Sequence, residues 1–528
     1  MKKKINHSKA TVKIAKTHSV LPTTLSLNLS MRQGDFFALF PLSTLGEKLI
    51  RKIFSYFSTC FEKHFEVKVY VEPPENIQNI NPELWKLLHL GGLYQKEGVI
   101  SVIKKRTGYN DEPNVYSFEA RLPGNVREGF HGIGYSFFSE QEALVTSLGE
   151  AIERHCFLHF TPPSHDILDS TYKEIAGEAI DPFLFAGISE VLRKQNVNPD
   201  LRPFTHDNVF RWIQGTSLTQ KRKVWLPLQS VTANPSIEKE LGEKGERLLR
   251  YAVSTGAASG EGPHDALYRA ICEIVERDAY MITYLNCISP SKLHIEECSK
   301  EIQTIAKNID KHNLTLQLLY LPTDVPCHVV MAILLPRSAR PIDRPYFALG
   351  MKADLDINIA IRGALNEALN SRIGMKTMLR DIPEPFGPNP DEAEKIGQDE
   401  RIYLWQTRPE LIDKVQFLWS GKYIAMKEVP VFEMHSASFA KKLQFLIDHF
   451  KKHNMEVAYI ENTTPAVRRV CKKVPGAFRS FFAIIPEMQP MHLYEEAACL
   501  AGERIKKVPK KLGIEVDDKI NTMPHPFP

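Results

Sequence analysis

Two segments of this chain carry the same helical pattern of charged residues, and this repetition constrains the fold more than any other feature. The pattern Glu-x-x-Glu-Arg occurs at Glu150, Glu153 and Arg154 and again at Glu273, Glu276 and Arg277. Residues three apart share one face of a helix, so each segment presents two carboxylates on one side. Each arginine follows its first glutamate by four residues, where the two can pair. Apolar neighbours indicate that each helix faces a core in part.

The repeated carboxylates predict a site for divalent cations. A single such pattern is usually a solvated surface pair, worth a few tenths of a kcal/mol. Here both copies follow glycine-containing stretches, at residues 132–134 and 256–262. Four partly buried carboxylates need more positive charge than two arginines supply. Mg²⁺ suits oxygen ligands and usually shares its shell with substrate phosphates, so we expect a Mg-nucleotide site between the two helices.

The familiar nucleotide-binding motifs are absent from the sequence. It contains no Gly-x-x-x-x-Gly-Lys-Ser/Thr segment, which excludes a P-loop. It also lacks the His-Arg-Asp and Asp-Phe-Gly pair of protein kinases. Any nucleotide site must therefore be built differently.

A third segment, residues 353–372, fits the same site. Asp356 is a suitable residue to begin a helix, and the small residues Ala360, Ala364 and Ala368 form a packing stripe. Arg362 lies off that stripe, toward its polar edge, where it can reach a phosphate. The alternative is an ordinary surface arginine.

The last five residues have proline at every second position: Pro524, Pro526 and Pro528. These prolines fix φ and remove backbone donors, so the segment cannot join a helix or a central strand. It is either a disordered end or an extended, stiff segment whose terminal group is held.

Composition describes a globular protein without strong electrostatic bias. The 528 residues are 43% hydrophobic and 25% charged, with a formal net charge of +4, which gives no reason to expect nucleic acid. The longest apolar run, Val329–Leu335, is too short to cross a membrane. The eight cysteines form no Cys-x-x-Cys pair, which argues against structural zinc and predicts reduced thiols in the cytoplasm.

Hydrophobic periodicity predicts a mixture of helices and short buried strands. Helical patterns cover residues 140–158, 264–285, 357–380 and 436–454, and the clearest strands are Val329–Leu335 and Phe481–Ile485. This mixture indicates an α/β or α+β fold. The proline-rich segment Asp381–Pro390 predicts a surface loop.

Residues 1–82 are predicted to form a small N-terminal region. A helix is expected over Gly46–Phe65, followed by a strand with Val67, Val69 and Val71 on one face. Such a region either caps a larger domain or docks a partner protein.

Taken together, these motifs resemble the YcaO superfamily over residues 95–528. The first Glu-x-x-Glu-Arg helix, the glycine-rich approach to the second, the helix around Arg362 and the Pro-x-Pro-x-Pro terminus occur in the family's order. The resemblance implies YcaO-type mixed sheets and helices enclosing an ATP site. It also implies an enzyme with ATP and Mg²⁺ as cofactors.

The resemblance also assigns residues to roles. Glu150, Glu153, Glu273 and Glu276 would hold Mg²⁺, and the residues expected to bind the nucleotide are Ser147, Arg154, Asp265, Arg277 and Arg362. The catalytic residues would be Arg362 and Pro528, the latter through its terminal carboxylate, which would orient or deprotonate the substrate.

The azoline-forming branch of the family activates peptide amides, as in the biosynthesis of thiazole/oxazole-modified microcins. A Cys, Ser or Thr side chain attacks the preceding carbonyl, the oxyanion takes the γ-phosphoryl group of ATP, and loss of phosphate leaves an azoline. The proline-rich terminus favours this branch. Thioamide formation, accessory function in thiomethylation and a non-catalytic binding protein are the alternatives.

Partners follow from the same resemblance. The substrate would be a ribosomal precursor peptide, and many ring-forming members also need a leader-binding protein with an E1-like fold. Residues 1–82 are too few for such a domain, so the partner is expected to be a separate protein. A homodimer is also considered, whereas nucleic acid and membrane are not expected.

Three residues depart from the family pattern. Ile133 replaces a basic residue before the first helix, and Glu261 stands where asparagine is usual. Asp265 replaces a glutamate, keeping its charge with a shorter reach. Glu261 is expected to add negative charge near the phosphates and thereby to alter or weaken activity.

Overall fold

The computed structural model describes residues 29–32, 35–39, 66–70, 82–124, 131–195, 201–337, 344–380 and 396–527. Within these ranges the chain forms four β-sheets and thirteen α-helices. The expected α/β or α+β mixture is confirmed. None of the described helices combines the length and apolar character needed to cross a membrane.

Two of the sheets are three-stranded. The first contains β1 (Leu29–Arg32), β2 (Asp35–Leu39) and β3 (Glu66–Tyr70), with β2 and β3 parallel. The second is antiparallel and contains β4 (Val102–Lys105), β5 (Tyr116–Arg121) and β6 (His131–Ser136). Strand β3 confirms the strand predicted around Val67, while the helix predicted over Gly46–Phe65 lies outside the described residues.

The six-stranded sheet is antiparallel and has the order β10-β17-β16-β8-β7, with β9 paired to β8. Its strands are β7 (Ile167–Thr171), β8 (Val209–Ser217), β9 (Arg222–Pro227), β10 (Ala257–Gly260), β16 (Ala458–Ile460) and β17 (Arg479–Ile484).

The five-stranded sheet has the order β14-β13-β12-β11-β15, so β14 is an edge strand. Its strands are β11 (Ser291–Leu293), β12 (Leu314–Tyr320), β13 (His328–Pro336), β14 (Ala348–Asp354) and β15 (Tyr423–Ile424). All pairs are antiparallel except β11 with β15. Strands β13 and β17 confirm the two predicted buried strands.

The helices of the described ranges are α1 (Pro82–Lys96), α2 (Glu140–His159), α3 (Tyr172–Ile175), α4 (Glu190–Gln195), α5 (Pro235–Glu243), α6 (Pro263–Leu285), α7 (Lys300–Lys311), α8 (Ile357–Leu379), α9 (Gln398–Thr407), α10 (Ile412–Val415), α11 (Phe439–Lys452), α12 (Pro465–Lys473) and α13 (Arg504–Lys511). The four predicted long helices are confirmed as α2, α6, α8 and α11. The proline-rich loop predicted over Asp381–Pro390 lies outside the described residues.

Local sequence signals begin the helices that carry the predicted motifs. The Ser139 side chain caps α2 by accepting from the Glu142 amide, and Asp356 caps α8 by accepting from the Asn358 amide. Pro263 occupies the first turn of α6, where it costs no helical hydrogen bond. The expected capping role of Asp356 is therefore confirmed.

Helix α6 connects the two larger sheets. It contacts β10 and β17 of the six-stranded sheet and β13 and β14 of the five-stranded sheet. Most of its residues are buried, so it is a core helix, and any charge on it needs a compensating partner. Helix α8 packs on β13 and β14, and α2 packs on β5 and β6.

A close backbone approach brings α2 against β6. A Cβ at Gly134 would lie 1.8 Å from the Ala143 carbonyl oxygen, so only glycine allows this packing. The glycine-containing stretch noticed in the sequence thus sets the position of the first carboxylate helix. The division into residues 1–82 and 95–528 stays a prediction.

Candidate functional site

Five glutamates from three helices approach one another beside the edge strand β14. We call them the carboxylate cluster: Glu150 and Glu153 from α2, Glu273 and Glu276 from α6, and Glu367 from α8. Glu153 interacts electrostatically with Glu150 and Glu273, and Glu273 with Glu276 and Glu367. The fold therefore brings the four predicted metal ligands together and adds a fifth carboxylate.

Two members of the cluster cap the open edge of the five-stranded sheet. The Glu276 Oε2 accepts a hydrogen bond from the Ala353 amide at 2.9 Å, and the Glu367 Oε2 accepts from the Met351 amide. Without these carboxylates, amides of an edge strand would lack partners. The cluster is thus fixed by the backbone of β14 as well as by its own helices.

Glu150 is fixed differently, by strand β6 and by its own helix. Its Oε2 accepts from the Ile133 amide at 2.8 Å, and its Oε1 lies 2.5 Å from the Arg154 guanidinium. Arg154 also donates to the His131 carbonyl at 2.7 Å. The predicted pairing of Glu150 with Arg154 is confirmed, and Ile133 contributes to the site through its backbone.

The second arginine pairs differently from the prediction. Arg277 lies 3.4 Å from Glu276 and 3.6 Å from Glu367, whereas a pair with Glu273 was expected. The expectation was wrong because it considered only the helix on which Arg277 lies. Helix α8 brings Glu367 beside that helix, and β14 holds both carboxylates in place.

The cluster holds more negative charge than its cations balance. Burial raises the pKa of Glu273 to about 7, against the opposing effect of Arg277, and Glu276 raises it further. Burial likewise raises the pKa of Glu367 to about 7. The pKa of Glu153 is raised well above its ordinary range by burial and by the charges of Glu273 and Glu150. Added positive charge would relieve this repulsion.

The donor chemistry of the cluster suits Mg²⁺ that also binds phosphates. All five members offer hard oxygen ligands, and within the described residues Glu153 and Glu273 accept no hydrogen bond from the protein. No three acidic, histidine or cysteine side chains of the described ranges converge closely enough to form a complete metal cage. Mg²⁺ is usually held by one or two carboxylates with phosphates and water completing its shell, which fits this arrangement.

The C-terminal segment is buried over residues 524–527, which favours the held segment over the alternative of a disordered end. The Pro524 carbonyl accepts hydrogen bonds from the Tyr284 hydroxyl and the Trp405 indole, both at 3.0 Å. The His525 Nε2 lies 3.0 Å from the His492 carbonyl oxygen. These bonds attach the segment to α6, to α9 and to the chain after β17.

The end of the segment meets the carboxylate cluster through Arg277. The Phe527 side chain is 4% exposed, and its ring centroid lies 4.2 Å from the Arg277 guanidinium carbon. The same ring lies 5.6 Å from that of Tyr280. A cation–π contact of this kind stabilises a desolvated arginine. Pro528 lies outside the described residues, and its predicted catalytic role stays a prediction.

Arg362 lies in a separate ion-pair network. Its guanidinium is 2.7 Å from Glu301 and 3.3 Å from Glu142, and it lies over the Phe138 ring at 3.5 Å. Glu142 and Phe138 belong to the start of α2 and the chain before it, and Glu301 belongs to α7. The predicted role of Arg362 at the phosphates stays a prediction.

Two further predicted residues are engaged by nearby groups of their own helices. Ser147 is buried and donates to the Leu144 carbonyl at 3.0 Å. Asp265, in the first turn of α6, pairs with Arg269 at 2.6 Å. Glu261 is exposed at the approach to α6, near Gly476.

Sequence reasoning missed two members of the site, Glu367 and Lys352. Glu367 lies within the third segment, directly before Ala368 of the small-residue stripe, and this position was a usable signal. Lys352 is an isolated charge between Met351 and Ala353 in a strand that is otherwise mostly buried. Such a charge in a buried strand requires acidic neighbours, but the sequence does not say which.

The family model described as "YcaO cyclodehydratase, ATP-ad Mg2+-binding" matches residues 136–489 of this chain. Among solved structures, a heterocyclase in complex with substrate and cofactor is similar with a TM-score of 0.64 and 19% identity, over 83% of this chain and 57% of that chain. The YcaO from Methanopyrus kandleri bound with AMPPCP and Mg²⁺ is similar with a TM-score of 0.53 and 16% identity, over 77% and 90% of the two chains.

A curated relative matches a shorter part of the chain. An uncharacterized protein in the tfuA 3′ region of Rhizobium leguminosarum bv. trifolii is 30% identical over 132 residues, which are 24% of this chain and 29% of that protein. The match thus spans less than a third of the curated relative, and the first structural match spans just over half of the heterocyclase. At these identities the likeness to the solved structures shows the fold.

Proposed function

This chain belongs to the YcaO family, and we propose that it is an ATP-dependent cyclodehydratase that converts Cys, Ser or Thr residues of a ribosomal precursor peptide to azolines. The observation that supports this proposal most is the carboxylate cluster with the C-terminal segment held against it. Phosphoryl transfer needs mainly positioned groups and charge neutralisation. The buried carboxylates and the fixed arginine supply the positioned groups, and divalent cations bound to the carboxylates would supply the charge neutralisation.

We propose ATP and Mg²⁺ as the cofactors, in agreement with the description of the family. Glu150, Glu153, Glu273 and Glu276 would hold Mg²⁺. Bound Mg²⁺ supplies neutralisation of the phosphate charge. Glu153 and Glu273 are the best-placed ligands because no hydrogen bond from the described residues occupies their oxygens. Glu150 and Glu276 are held by backbone amides, so they would keep the two helices in position.

The C-terminal segment would complete the site. Phe527 contacts Arg277, which supports a role for the terminal residue at the cluster. We propose that the Pro528 carboxylate takes the proton of the attacking thiol or hydroxyl as that group adds to the preceding carbonyl. The oxyanion of the ring so formed then takes the γ-phosphoryl group of ATP with release of ADP, and loss of phosphate and of the amide proton forms the C=N bond of the azoline.

Further nucleotide contacts are proposed for Ser147, Arg154, Asp265 and Arg277. Arg154 and Arg277 are supported by their pairing with cluster glutamates. Ser147 and Asp265 bond within their own helices and would exchange these bonds for contacts with the nucleotide. Arg362 would have to leave its present ion pairs to reach a phosphate.

The proposed partners are the precursor peptide and a separate E1-like leader-binding protein, and a homodimer is the proposed assembly. We propose residues 1–82 as an accessory or partner-docking region and residues 95–528 as the YcaO domain. The proposed location is the cytoplasm, without nucleic acid or membrane as a partner.

Incubation of the purified chain with Mg-ATP and short Cys/Ser/Thr-rich peptides encoded beside its gene tests the proposal. Any E1-like protein encoded there would be added. Loss of one water per modified residue, detected by mass spectrometry, is the expected result. Exchange of oxygen for sulfur would instead establish thioamide formation, and no ATP turnover with any peptide would favour a non-catalytic protein. Glu243→Gln, an exposed substitution outside the cluster, is the matched control for cluster variants.

A further inference from the structure

A lysine, Lys352, lies beside the carboxylate cluster. It lies in β14 between Met351 and Ala353, the two residues whose amides donate to Glu367 and Glu276. Its side chain therefore starts between two members of the cluster. Lys352 interacts electrostatically with Glu276 and Glu273, and also with Glu153 and Glu367.

The ammonium group of Lys352 forms no ion pair with the glutamates of the cluster. In the part of the chain that the structure describes, no carboxylate oxygen lies within 4.0 Å of its Nζ and it donates no hydrogen bond. Arg277 and Arg154, by contrast, are paired with cluster glutamates. Among the described residues, Lys352 is thus the one cation of this cluster that makes no ion pair.

Gly363 makes the room that the lysine stem occupies. A Cβ at position 363 would lie 2.5 Å from the Lys352 Cγ, 2.8 Å from its Cβ and 3.0 Å from its Cδ. The stem therefore crosses α8 directly over this glycine. Gly363 has ordinary helical backbone conformation, so glycine is not needed there for its φ. Glycine is unfavourable in a helix interior, and its presence is explained by the contact.

Arg362, next to Gly363, is engaged in a different network. Its guanidinium lies between Glu301 and Glu142 and over the Phe138 ring. The helix that was expected to provide a phosphate-binding arginine thus provides a gap for a lysine from the neighbouring strand.

We propose that Lys352 contacts the phosphates of the nucleotide, with Gly363 as the recess that admits its side chain. This inference rests on the proposed function, because it assumes that ATP binds at the carboxylate cluster. A lysine ammonium is a suitable point charge for phosphate, and Mg²⁺ on the glutamates would leave Lys352 free of their negative charge. Lys352 would reach the phosphates without breaking an ion pair, which Arg362 would have to do.

The test compares Lys352→Met with the unaltered chain for binding of a non-hydrolysable ATP analogue and of adenosine, in the presence of Mg²⁺. Methionine keeps a long stem and removes the charge. Affinity for the analogue should fall about ten- to hundredfold, the effect expected for a hydrogen bond to a charged group, while adenosine binding is unchanged. Equal affinity of the two proteins for the analogue, or equal losses for both ligands, would overturn the proposal.

Two glycine variants of α8 distinguish the effect of the contact between Gly363 and the Lys352 stem from a general effect on helix stability. Gly363→Ala should weaken binding of the analogue because its Cβ displaces the lysine stem. Gly374→Ala is the matched control, since a Cβ there meets nothing within 4 Å, and it should bind the analogue normally. Equal binding of the analogue by both variants would contradict the proposal that Gly363 forms a recess for the Lys352 side chain. If the unaltered chain binds no ATP analogue, the proposed function fails; if it binds and Lys352→Met binds equally, only this inference fails.

Discussion

Each glutamate of the carboxylate cluster has its own surroundings, and these determine what its removal should do. Glu276 and Glu150 bond to backbone amides, whereas Glu153 has only repulsive carboxylates and distant cations around it. When the charge of a residue is unfavourable in the free protein but required by a ligand, its neutralisation should raise stability and lower activity.

Glu153→Gln is therefore expected to stabilise the metal-free protein while abolishing Mg-dependent ATP use. The neutral amide removes repulsion with Glu273 and Glu150, so the free energy of unfolding at about pH 7.5 should rise by about 1–3 kcal/mol. Urea denaturation and ATP turnover measure the two effects. Unchanged turnover would remove Glu153 from the metal site, and Glu243→Gln should change neither quantity.

The raised pKa values also predict how Mg²⁺ binding depends on pH. Burial raises the pKa of Glu273 and of Glu367 to about 7, above the value of about 4.3 expected in the unfolded chain. The folded, metal-free protein holds these protons more tightly, so it should lose stability as pH rises from about 5 to about 8.

Mg²⁺ requires the deprotonated carboxylates, so its affinity should increase over the upper part of the same range. Binding at about pH 6.5 should release protons. Calorimetry in two buffers of different ionisation enthalpy measures this release. A Mg²⁺ affinity that is the same at pH 6 and pH 8 would contradict the coupling.

Four of the five clustered carboxylates could be predicted from the sequence because they lie on two helices with one repeated spacing. The contribution of Lys352 and the actual partners of Arg277 could not be predicted from the sequence. Both depend on β14 and α8 lying beside α6, and no local spacing encodes contacts between residues so far apart along the chain.

Among the elements, α6 carries the site on one face and a structural ion pair on another. Asp278 is fully buried and receives two hydrogen bonds of 2.7 Å from Arg504 of α13, together with one of 2.8 Å from the Gln489 amide. Arg504 also pairs with Asp324 at 2.6 Å. This network fixes the orientation of α6, and thereby of Glu273 and Glu276.

Arg504→Met should strongly destabilise the protein because it leaves Asp278 charged and buried without its partner. The expected loss is about 3–5 kcal/mol of unfolding free energy, as for other broken buried pairs. Lys507→Ala, which removes an exposed pair with Glu503, the N-cap residue of the same helix, should change stability by less than about 0.5 kcal/mol. Urea denaturation of both variants checks the difference, and similar small losses would show that the buried pair does not hold α6.

The helices and strands that were predicted correctly from the sequence are those with long hydrophobic patterns. Helices α2, α6, α8 and α11 and strands β13 and β17 all have continuous apolar or periodic patterns. Strand β15 has only two residues, Tyr423–Ile424, and pairs in parallel with β11. Such a short segment is defined by its partner strand, so periodicity could not detect it.

At the scale of the whole molecule, the C-terminal segment connects distant parts of the chain to the site. Its hydrogen bonds reach Tyr284 in α6, Trp405 in α9 and His492 after β17. The sequence predicted a stiff segment from its prolines, but its burial depends on a groove made by all three regions. That groove could not be derived from the segment alone.

Deleting Phe527 and Pro528 should sharply reduce peptide modification with little loss of the fold. The bonds of Pro524 and His525 remain, while Arg277 loses the ring that covers it. Mass spectrometry of the peptide and thermal denaturation of the protein measure the two effects. A variant with residues added after Pro528 keeps the Phe527 contact and moves the carboxylate, so it should also lose activity. Normal modification by both variants would show that the segment serves only packing.

We propose that the carboxylate cluster holds the metal ions that accompany the nucleotide. A crystal structure with Mn²⁺ and a non-hydrolysable ATP analogue tests it most directly, because the anomalous signal of Mn²⁺ locates each metal ion. We expect the signal between α2 and α6, with oxygens of Glu153 and Glu273 as ligands and the phosphates completing the shell. Nucleotide and Mn²⁺ bound elsewhere, with Glu153 and Glu273 unliganded, would show that the carboxylate cluster is not the metal site.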